Sequence, residues 1–232
     1  MLLPEFCEEL FYTSNVNLFE TNFKNYLEKV YEYNILETQK WLKRLNKNYT
    51  IQQLKKLEEL DLYDRQLIEF PILNLPNLRK LTMYDCRLTK IQPLNLPNLQ
   101  YLSLSHNHLT ELPTLNLPNL KRFFIHDNRL ESISTLNLPN LQELCIYNNR
   151  ITEISKLTLP NLKFLNLQDN KLTEFPKLNL PNLQFLSLSD NQLTEISNLN
   201  LPNLKILWIG HNPLTVESKE YIKSLNIQKL ID

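Results

Sequence analysis

The 232-residue sequence contains no alanine and a single glycine, Gly210. Phosphate-binding glycine-rich loops, dinucleotide-binding fingerprints and the nucleophile elbow of serine hydrolases each need several glycines close together, so these three kinds of site are excluded. Net charge is absent as well, because 25 Lys and Arg residues balance 25 Asp and Glu residues. This balance argues against a protein that binds nucleic acid by neutralising phosphates, and against a polybasic protein of membrane surfaces.

Cysteine is scarce, and no long apolar segment exists. The three cysteines, Cys7, Cys86 and Cys145, are odd in number and far apart, which does not predict a disulfide framework. The first ten residues are acidic where a secretory signal would be basic, and no segment approaches the roughly 18 to 20 apolar residues of a membrane span. We therefore expect a soluble protein in a reducing, cytoplasmic setting.

Leucine, in contrast, supplies 52 residues, and most of them belong to an internal repeat. The phrase Leu-x-Leu-Pro-Asn-Leu recurs every 21 residues, with its proline at Pro76, Pro97, Pro118, Pro139, Pro160, Pro181 and Pro202. The unit from Leu99 to Asn119 reads LQYLSLSHNHLTELPTLNLPN. Seven full units run from Leu57 to Asn203, and an eighth begins at Leu204 and is cut short near Val216.

Each unit predicts one short strand and one extended return segment. The alternation Leu102-Ser103-Leu104 indicates a strand with one buried face. The second half of the unit has too few residues for a helix, and its proline favours an extended or polyproline-like chain. Because one unit cannot cover its own apolar face, the units must stack. We expect a curved solenoid with a parallel sheet of about eight strands on its concave side.

The ninth position of the unit carries an asparagine column. A buried amide must have its hydrogen bonds satisfied, and here it can bond to backbone groups of its own turn and of the neighbouring turn. We interpret the column as structural. Cys86 takes this position in the second unit and Arg65 in the first, so we expect the first unit to be irregular. The column consists of Asn107, Asn128, Asn149, Asn170, Asn191 and Asn212.

The pattern LxxLxLxxNxL resembles the signature of leucine-rich repeat proteins, and seven copies cover about two thirds of the chain. The resemblance implies an α/β solenoid of horseshoe form. The short unit with LTELP and LNLPNL is similar to the repeats of intracellular bacterial effectors. It is still more similar to those of leucine-rich repeat proteins of giant amoebal viruses such as Mimivirus, which would place the protein in host cytoplasm or in the virion.

The chain ends differ in texture from the repeats, and an open solenoid needs caps. We divide the chain into a helical N-terminal cap (1–56), the repeats (57–216) and a C-terminal cap (217–232) with a short helix around Tyr221 and Ile222. Within the first cap, apolar residues from Leu18 to Tyr31 follow one helical spacing, and those from Ile35 to Leu45 predict a second helix. Thr50 and Gln53 predict a capping box for a short third helix.

Residues with catalytic or metal-binding chemistry are few. His106, His126 and Asp127 fall close together in neighbouring units and could hold a divalent metal, as a metal-dependent hydrolase would require. No ligand spacing specifies a metal, however, so we interpret them as exposed polar side chains and expect neither metal nor cofactor. Cys145 has no nucleophile signature around it. We expect no enzymatic activity.

The strand positions that flank the buried leucines carry an unexpected set of large side chains. Positions three, five and seven face outward from the sheet, and Thr, Ser and Asn at other copies show that the repeat does not require aromatics there. Exposed aromatics in a concavity favour a protein-binding patch. We expect a monomer that binds a protein partner, rather than nucleic acid or membrane, through Tyr101, Phe124, Tyr147, Phe164, Phe185, Ile206 and Trp208, with Phe164, Phe185 and Trp208 as anchors.

Two other functions stay open at this point. Leu3-Pro4-Glu5 followed by Leu10-Phe11, ahead of leucine-rich repeats, resembles the F-box adaptors of ubiquitin ligases, although the compact pattern of that family is only partly present. This resemblance implies that residues 1–56 bind a ligase scaffold. A structural protein of a virion, which needs no discrete partner, is the second alternative.

Overall fold

The computed structural model describes residues 16–63, 66–67, 70, 72–133, 136–154, 157–225 and 227–231. Arg65 lies outside the described residues, and so do Cys7 and the F-box-like residues Leu3 to Phe11. The described chain forms two compact units. A helical unit contains residues 16–56 and 72–75, and a repeat unit contains the remaining residues.

The helical unit holds two helices, α1 (Val16–Arg44) and α2 (Ile51–Lys55). The prediction of separate helices before and after Ile35 was wrong, because α1 runs uninterrupted for 29 residues. No glycine or proline falls between Tyr31 and Ile35 to end the first helix. The capping box at α2 is confirmed: Gln53 N donates to Thr50 Oγ1 over 3.2 Å, and Thr50 N donates to Gln53 Oε1 over 2.8 Å.

The buried side chains of the helical unit lie in the C-terminal part of α1, in α2 and in the segment 72–75. Among described residues, those fully or almost fully buried are Ile35, Thr38, Trp41, Leu42, Leu54, Leu73 and Leu75. The Gln39 side chain donates to the Tyr49 carbonyl over 2.7 Å, and so ties the connection between the helices to α1.

In the part of the chain that the structure describes, the repeat unit is built on a nine-stranded parallel sheet, and its strands neighbour each other in chain order. Neighbouring strands pair with equivalent residues of successive repeats, such as Leu81 with Leu102. The parallel solenoid of about eight turns is thereby confirmed. Its strands are β1 (Glu59–Tyr63), β2 (Lys80–Tyr84), β4 (Tyr101–Ser103), β6 (Arg122–Phe124), β9 (Glu143–Cys145), β12 (Phe164–Asn166), β13 (Phe185–Ser187), β14 (Ile206–Trp208) and β15 (Lys229–Ile231).

The return segments pair more briefly. They are extended, as the proline predicts, and several form two-residue parallel pairs with the next turn. Leucines of the strands and of the return segments fill the space between the two layers; Leu102, Leu104 and Leu120, for example, are fully buried. The pairs are β3 (Leu94–Asn95) with β5 (Leu115–Asn116), β7 (Ser132–Ile133) with β10 (Glu153–Ile154), and β8 (Leu136–Asn137) with β11 (Leu157–Thr158).

Each asparagine of the ninth-position column connects two turns. Asn149 is typical: its Oδ1 accepts from Leu130 N of the preceding turn over 3.0 Å, and its Nδ2 donates to carbonyls of Ile125, Ile146 and Tyr147 over 3.1–3.3 Å. Asn107, Asn128, Asn170, Asn191 and Asn212 repeat this pattern. The column therefore satisfies backbone groups that strand pairing leaves unpaired.

A second asparagine column, which the sequence analysis overlooked, follows the repeat proline. The Nδ2 of Asn161 donates to the Pro139 carbonyl of the preceding turn over 2.8 Å. Equivalent bonds of 2.8–2.9 Å recur at Asn98, Asn119, Asn140, Asn182 and Asn203. The signal was visible in the sequence, because asparagine follows the proline in every copy.

The residue types at the eighth position of the unit follow from the backbone conformation there. From Asp85 to His211 the residue at this position has a left-handed backbone, with φ between 52° and 58°. Asp, Asn and His tolerate this conformation better than most residues other than glycine. The column therefore carries these residue types because the chain turns here, which also explains how the repeat manages without glycine. It consists, among described residues, of Asp85, His106, Asp127, Asn148, Asp169, Asp190 and His211.

The C-terminal end closes with helix α3 (Val216–Ser224) and then β15. The helix takes the place of a return segment: Ser218 Oγ accepts from Ile196 N over 3.0 Å, and the Tyr221 hydroxyl accepts from Leu199 N over 2.8 Å. The short helix was predicted, but the ninth strand was not. Lys229 pairs with Ile206, 23 residues earlier, so β15 lies outside the 21-residue period by which the other strands were found. Within the described part of the chain, no helix has the length and apolar character needed to cross a membrane.

Candidate functional site

The concave face consists of the side chains at positions three, five and seven of each turn. None of the seven predicted binding residues belongs to the buried core; each is partly exposed. They are held on neighbouring parallel strands about 4.8 Å apart, so side chains at one position of successive turns contact each other.

The three predicted anchors form one continuous set of rings, which we call the aromatic ladder (Phe164, Phe185 and Trp208). Phe164 and Phe185 stack with centroids 4.3 Å apart and planes 5° from parallel. Phe185 and Trp208 meet edge to face at 5.1 Å and 73°. Such contacts fix the ring orientations without removing the rings from solvent, so the ladder is preorganised for contact with a partner.

The aromatic ladder lies beside an open groove of about 620 Å³. Phe164 and Phe185 line it, whereas Trp208 contacts it only through Phe185. Two further predicted residues, Phe124 and Ile206, also line it. The groove thus has an apolar floor that crosses strands β6 to β14. Its remaining lining residues are Gln142, Glu143, Cys145, Lys163, Gln184, Lys205 and Gln228.

Tyr101 and Tyr147 lie elsewhere on the concave face. Tyr101 packs against Phe124 with centroids 5.3 Å apart, one strand before the groove begins. Tyr147 stacks on His126 at 4.3 Å, in a separate line of rings at position seven. The structure therefore places five of the seven predicted residues at the groove or in the ladder, and two beside them.

The charged side chains of the groove come from the second position of the repeat unit, which was not among the predicted binding positions. Lys163 and Lys205 line the groove, in alternation with Gln142 and Gln184. Among described residues neither lysine has an ion pair, whereas Glu143 pairs with Arg122 over 3.4 Å. The unpaired charge of the groove is therefore positive. The signal was the regular appearance of long polar residues immediately before the aromatic position three.

The titratable groups of the concave face do not resemble a catalytic centre. Burial raises the pKa of the Cys145 thiol to about 12, and the neighbouring Glu143 carboxylate adds to the shift. Burial likewise raises the pKa of Tyr101 and, together with Asp127, that of Tyr147. These shifts stabilise the protonated, unreactive forms of the three groups.

Solved structures with similar folds include two bacterial proteins. YopM from Yersinia enterocolitica WA-314 is 32% identical over 71% of this chain, with a TM-score of 0.61, and the match covers 37% of YopM. A Shigella effector leucine-rich repeat domain is 25% identical over 82% of this chain and 93% of its own, with a TM-score of 0.57. TLR13, in its complex with ssRNA13, is 22% identical over 75% of this chain and 32% of its own, with a TM-score of 0.52, and shows the fold alone.

Among curated proteins, no sequence matches this chain significantly. The comparisons do not bear on giant viruses, so the viral resemblance stays a prediction. The family model described as "Leucine Rich repeats (2 copies)" matches residues 97–138, 139–180 and 181–218, which together exceed half of the chain. The chain belongs to the leucine-rich repeat family.

Proposed function

We propose that this protein binds a protein partner through the groove beside the aromatic ladder, without catalysis. The observation that carries the proposal is the continuous set of partly exposed rings, Phe164, Phe185 and Trp208, beside a groove with an apolar floor. Aromatic side chains in preformed concavities are the residues that dominate binding energy in protein interfaces. The family supports this function in general terms, since its members typically serve as interaction scaffolds and one of the similar structures is the leucine-rich repeat domain of a Shigella effector.

The groove also favours a particular chemistry in the partner. Lys163 and Lys205 stand at its side without an ion pair among described residues. A segment that places a large apolar side chain against the aromatic floor, with Asp or Glu next to it, would match both the apolar and the charged parts. We therefore propose an acidic, hydrophobic peptide segment of another protein as the bound element.

The oligomeric state and the cellular compartment of the protein are also proposals. We propose that the protein acts as a monomer in the cytoplasm, or in host cytoplasm or the virion if the viral resemblance holds. The buried thiol of Cys145, which forms no disulfide, supports a reducing compartment.

The test is selection from a random peptide library on the full-length protein, in EDTA. We expect the selected peptides to carry an apolar anchor beside acidic residues. Binding should be lost in Phe164→Ala/Phe185→Ala/Trp208→Ala and kept in Tyr63→Ala/Tyr84→Ala, a control that removes two exposed rings outside the groove. Because only partly exposed rings are removed, the melting temperature of the triple variant should fall by no more than about 10 °C.

Charge is tested with lysines of one column. Lys163→Glu/Lys205→Glu should weaken peptide binding, whereas Lys121→Glu, at the same position of an earlier turn and outside the groove lining, should leave it unchanged. Equal binding by the triple alanine variant would overturn the groove as the site. Binding of single-stranded RNA in place of peptides would overturn a protein partner.

A further inference from the structure

Two imidazoles and one carboxylate converge at the end of the strands, outside the groove. His106 Nε2 lies 3.2 Å from Asp127 Oδ2, and His126 Nδ1 lies 2.6 Å from the same oxygen. One potential ligand atom from each residue falls within 4.8 Å of those of the other two. The sequence predicts that these residues lie close together, but its spacing specifies no metal, so they were interpreted as exposed polar side chains. Stacking of successive turns brings them together.

The backbone beneath this cluster is held by the repeat itself. His106 N donates to the His126 carbonyl over 3.1 Å, and Asp127 N donates to the Tyr147 carbonyl over 3.1 Å. His106 and Asp127 share the left-handed conformation of the eighth position, each with φ of 56°. The Cα positions of the three residues are therefore set by hydrogen bonds that recur in every turn. This kind of rigid support is what a preformed ligand site needs.

The side chains are oriented by neighbours that are themselves anchored. Asn148 Nδ2 donates to Asp127 Oδ1, which leaves Oδ2 directed at the two imidazoles. The Tyr147 ring stacks on His126 at 4.3 Å and 7°, and the Tyr84 ring lies 4.6 Å from His106. In metal sites the ligating carboxylates are typically hydrogen-bonded, and neighbouring groups typically fix the orientation of the ligating imidazoles.

We propose that His106, His126 and Asp127 bind one divalent transition metal ion of the zinc class, a site that goes beyond the proposed peptide recognition. Two nitrogens and one carboxylate oxygen suit Zn²⁺, Co²⁺, Ni²⁺ or Cu²⁺, whereas Ca²⁺ and Mg²⁺ prefer oxygen ligands. Three protein ligands leave a tetrahedral ion one open position for water or for a donor from a partner. The side chain of His106 is 42% exposed, so solvent reaches the cluster.

The metal would replace contacts that the side chains now make with each other. Bonds of about 2.0–2.2 Å to a tetrahedral ion place ligand atoms a little over 3 Å apart. The 3.2 Å separation of His106 Nε2 and Asp127 Oδ2 already matches this spacing. The 2.6 Å contact between His126 Nδ1 and Asp127 Oδ2 is a hydrogen bond, and a small movement of either side chain would open it for the ion.

The chain offers a matched control at another pair of turns. His211 Nδ1 lies 2.7 Å from Asp190 Oδ1, so the same two residue types meet in the same column. Position seven of those two turns holds Ser189 and Gly210, and no second imidazole reaches the pair. This pair provides two ligands in place of three, and we expect it to bind metal far more weakly.

The experiment is calorimetric titration of the full-length protein with Zn²⁺ alone, in a Cys7→Ser background that removes a competing thiol. We expect one equivalent of Zn²⁺ bound, and the same in His211→Asn. His126→Gln and Asp127→Asn should weaken binding at least about 100-fold. Both substitutions introduce residues that other turns already hold at these positions, Gln168 and Asn148, so the fold should be retained.

Two further readouts separate the site from adventitious binding. Zn²⁺ should raise the melting temperature of the Cys7→Ser and His211→Asn proteins and leave that of His126→Gln unchanged. Bound Co²⁺ should show the visible absorption of tetrahedral coordination, and excess Ca²⁺ should not displace it. Absence of stoichiometric Zn²⁺ binding, or full retention of it in His126→Gln, would overturn the proposal. Neither result bears on the proposed peptide recognition, which is tested separately by the loss of peptide binding in the groove variants.

Discussion

The Cys86 thiol donates to the Leu62 carbonyl of the preceding turn over 3.4 Å. In every later turn an asparagine amide makes this bond to the carbonyl 24 residues earlier, for example Asn107 to Met83 over 2.8 Å. A thiol is the weaker donor, and it has no counterpart to the amide oxygen that accepts from Leu88 N in the Asn107 turn. The equivalent Leu67 N instead donates to the Cys86 carbonyl over 3.2 Å. Cysteine thus fills the asparagine position and makes only part of its bonds.

Cys86→Asn should therefore stabilise the repeat unit. The amide gains a stronger donor to Leu62 and an acceptor in reach of Leu67 N, and one net hydrogen bond contributes about 1 kcal/mol. Urea denaturation of the two proteins measures the difference. Cys86→Ser serves as the control, because one short hydroxyl replaces the two separate groups of the amide; it should stabilise less than Cys86→Asn. An asparagine variant no more stable than the original would contradict this account of the column.

The two asparagine columns should differ in their energetic weight. Asn149→Ala removes four hydrogen bonds at a buried site and leaves Leu130 N without its acceptor, so we expect a loss of about 2–4 kcal/mol in the free energy of unfolding. Asn161→Ala removes one exposed bond to the Pro139 carbonyl, and water replaces it, so we expect a loss below about 1 kcal/mol. Denaturant titration of both variants tests the contrast. Equal losses would mean that burial does not distinguish the columns.

The 21-residue period of the sequence predicts the strands of the sheet, but it does not predict the structure at the two ends of the chain. Strands such as β4 and β13 follow from Leu-x-Leu in the 21-residue repeat, since the stacking of identical turns has one solution. The single helix α1 could not be distinguished from two helices, because apolar spacing does not report whether Tyr31 to Ile35 is continuous. Strand β15 has three residues and no repeat around it; its pairing with β14 depends on where α3 returns the chain.

The candidate sites were foreseen in part, for similar reasons. Outward-facing positions of a strand identify Phe164, Phe185 and Trp208 directly. Ring contacts, by contrast, depend on side-chain torsions. The sequence therefore could not predict that Phe164 stacks on Phe185 while Tyr147 stacks on His126, outside the aromatic ladder. The lysines at position two were visible in the sequence, but their place beside the groove was not. The approach of His106 and Asp127 depends on the left-handed turn at position eight.

The pair of Lys80 and Asp61, on strands β2 and β1, gives the fold a pH dependence. Burial raises the pKa of Asp61, but Thr82, the Lys80 ammonium 3.1 Å away and Tyr63 together outweigh burial and hold that pKa below its ordinary value. A carboxyl whose pKa is lower in the folded state stabilises the protein above its unfolded pKa of about 3.9, and this contribution is lost as the pH falls through the folded value. The pair should therefore contribute fully at pH 7, and its contribution should decrease as the pH falls below about 3.9.

Lys80→Met should lower the free energy of unfolding at pH 7 by less than about 1 kcal/mol, as for other partly exposed ion pairs. The difference from the original protein should be smaller at about pH 2 than at pH 7. Lys90→Met is the control, because Lys90 and Glu111 are 4.0 Å apart and largely exposed, and it should change nothing at either pH. Urea denaturation at the two pH values measures both variants. A difference that grows on acidification would show that the sign assigned to Asp61 is wrong.

The Cys145 thiol should be inert in the folded protein. Its pKa of about 12 is set by burial first and by Glu143 second, against an ordinary value near 9. At pH 8 the thiolate fraction is then roughly 1,000-fold lower than for an ordinary thiol, and the thiolate is the species that reacts with alkylating reagents.

In a Cys7→Ser background, treatment with iodoacetamide followed by peptide mass spectrometry should find Cys145 unmodified in the native protein and fully modified in urea. Glu143→Gln should leave Cys145 almost as inert, because burial is the larger cause. Native alkylation within about tenfold of the unfolded rate would mean that solvent reaches the sulfur, and that position five of this strand belongs to the open part of the groove.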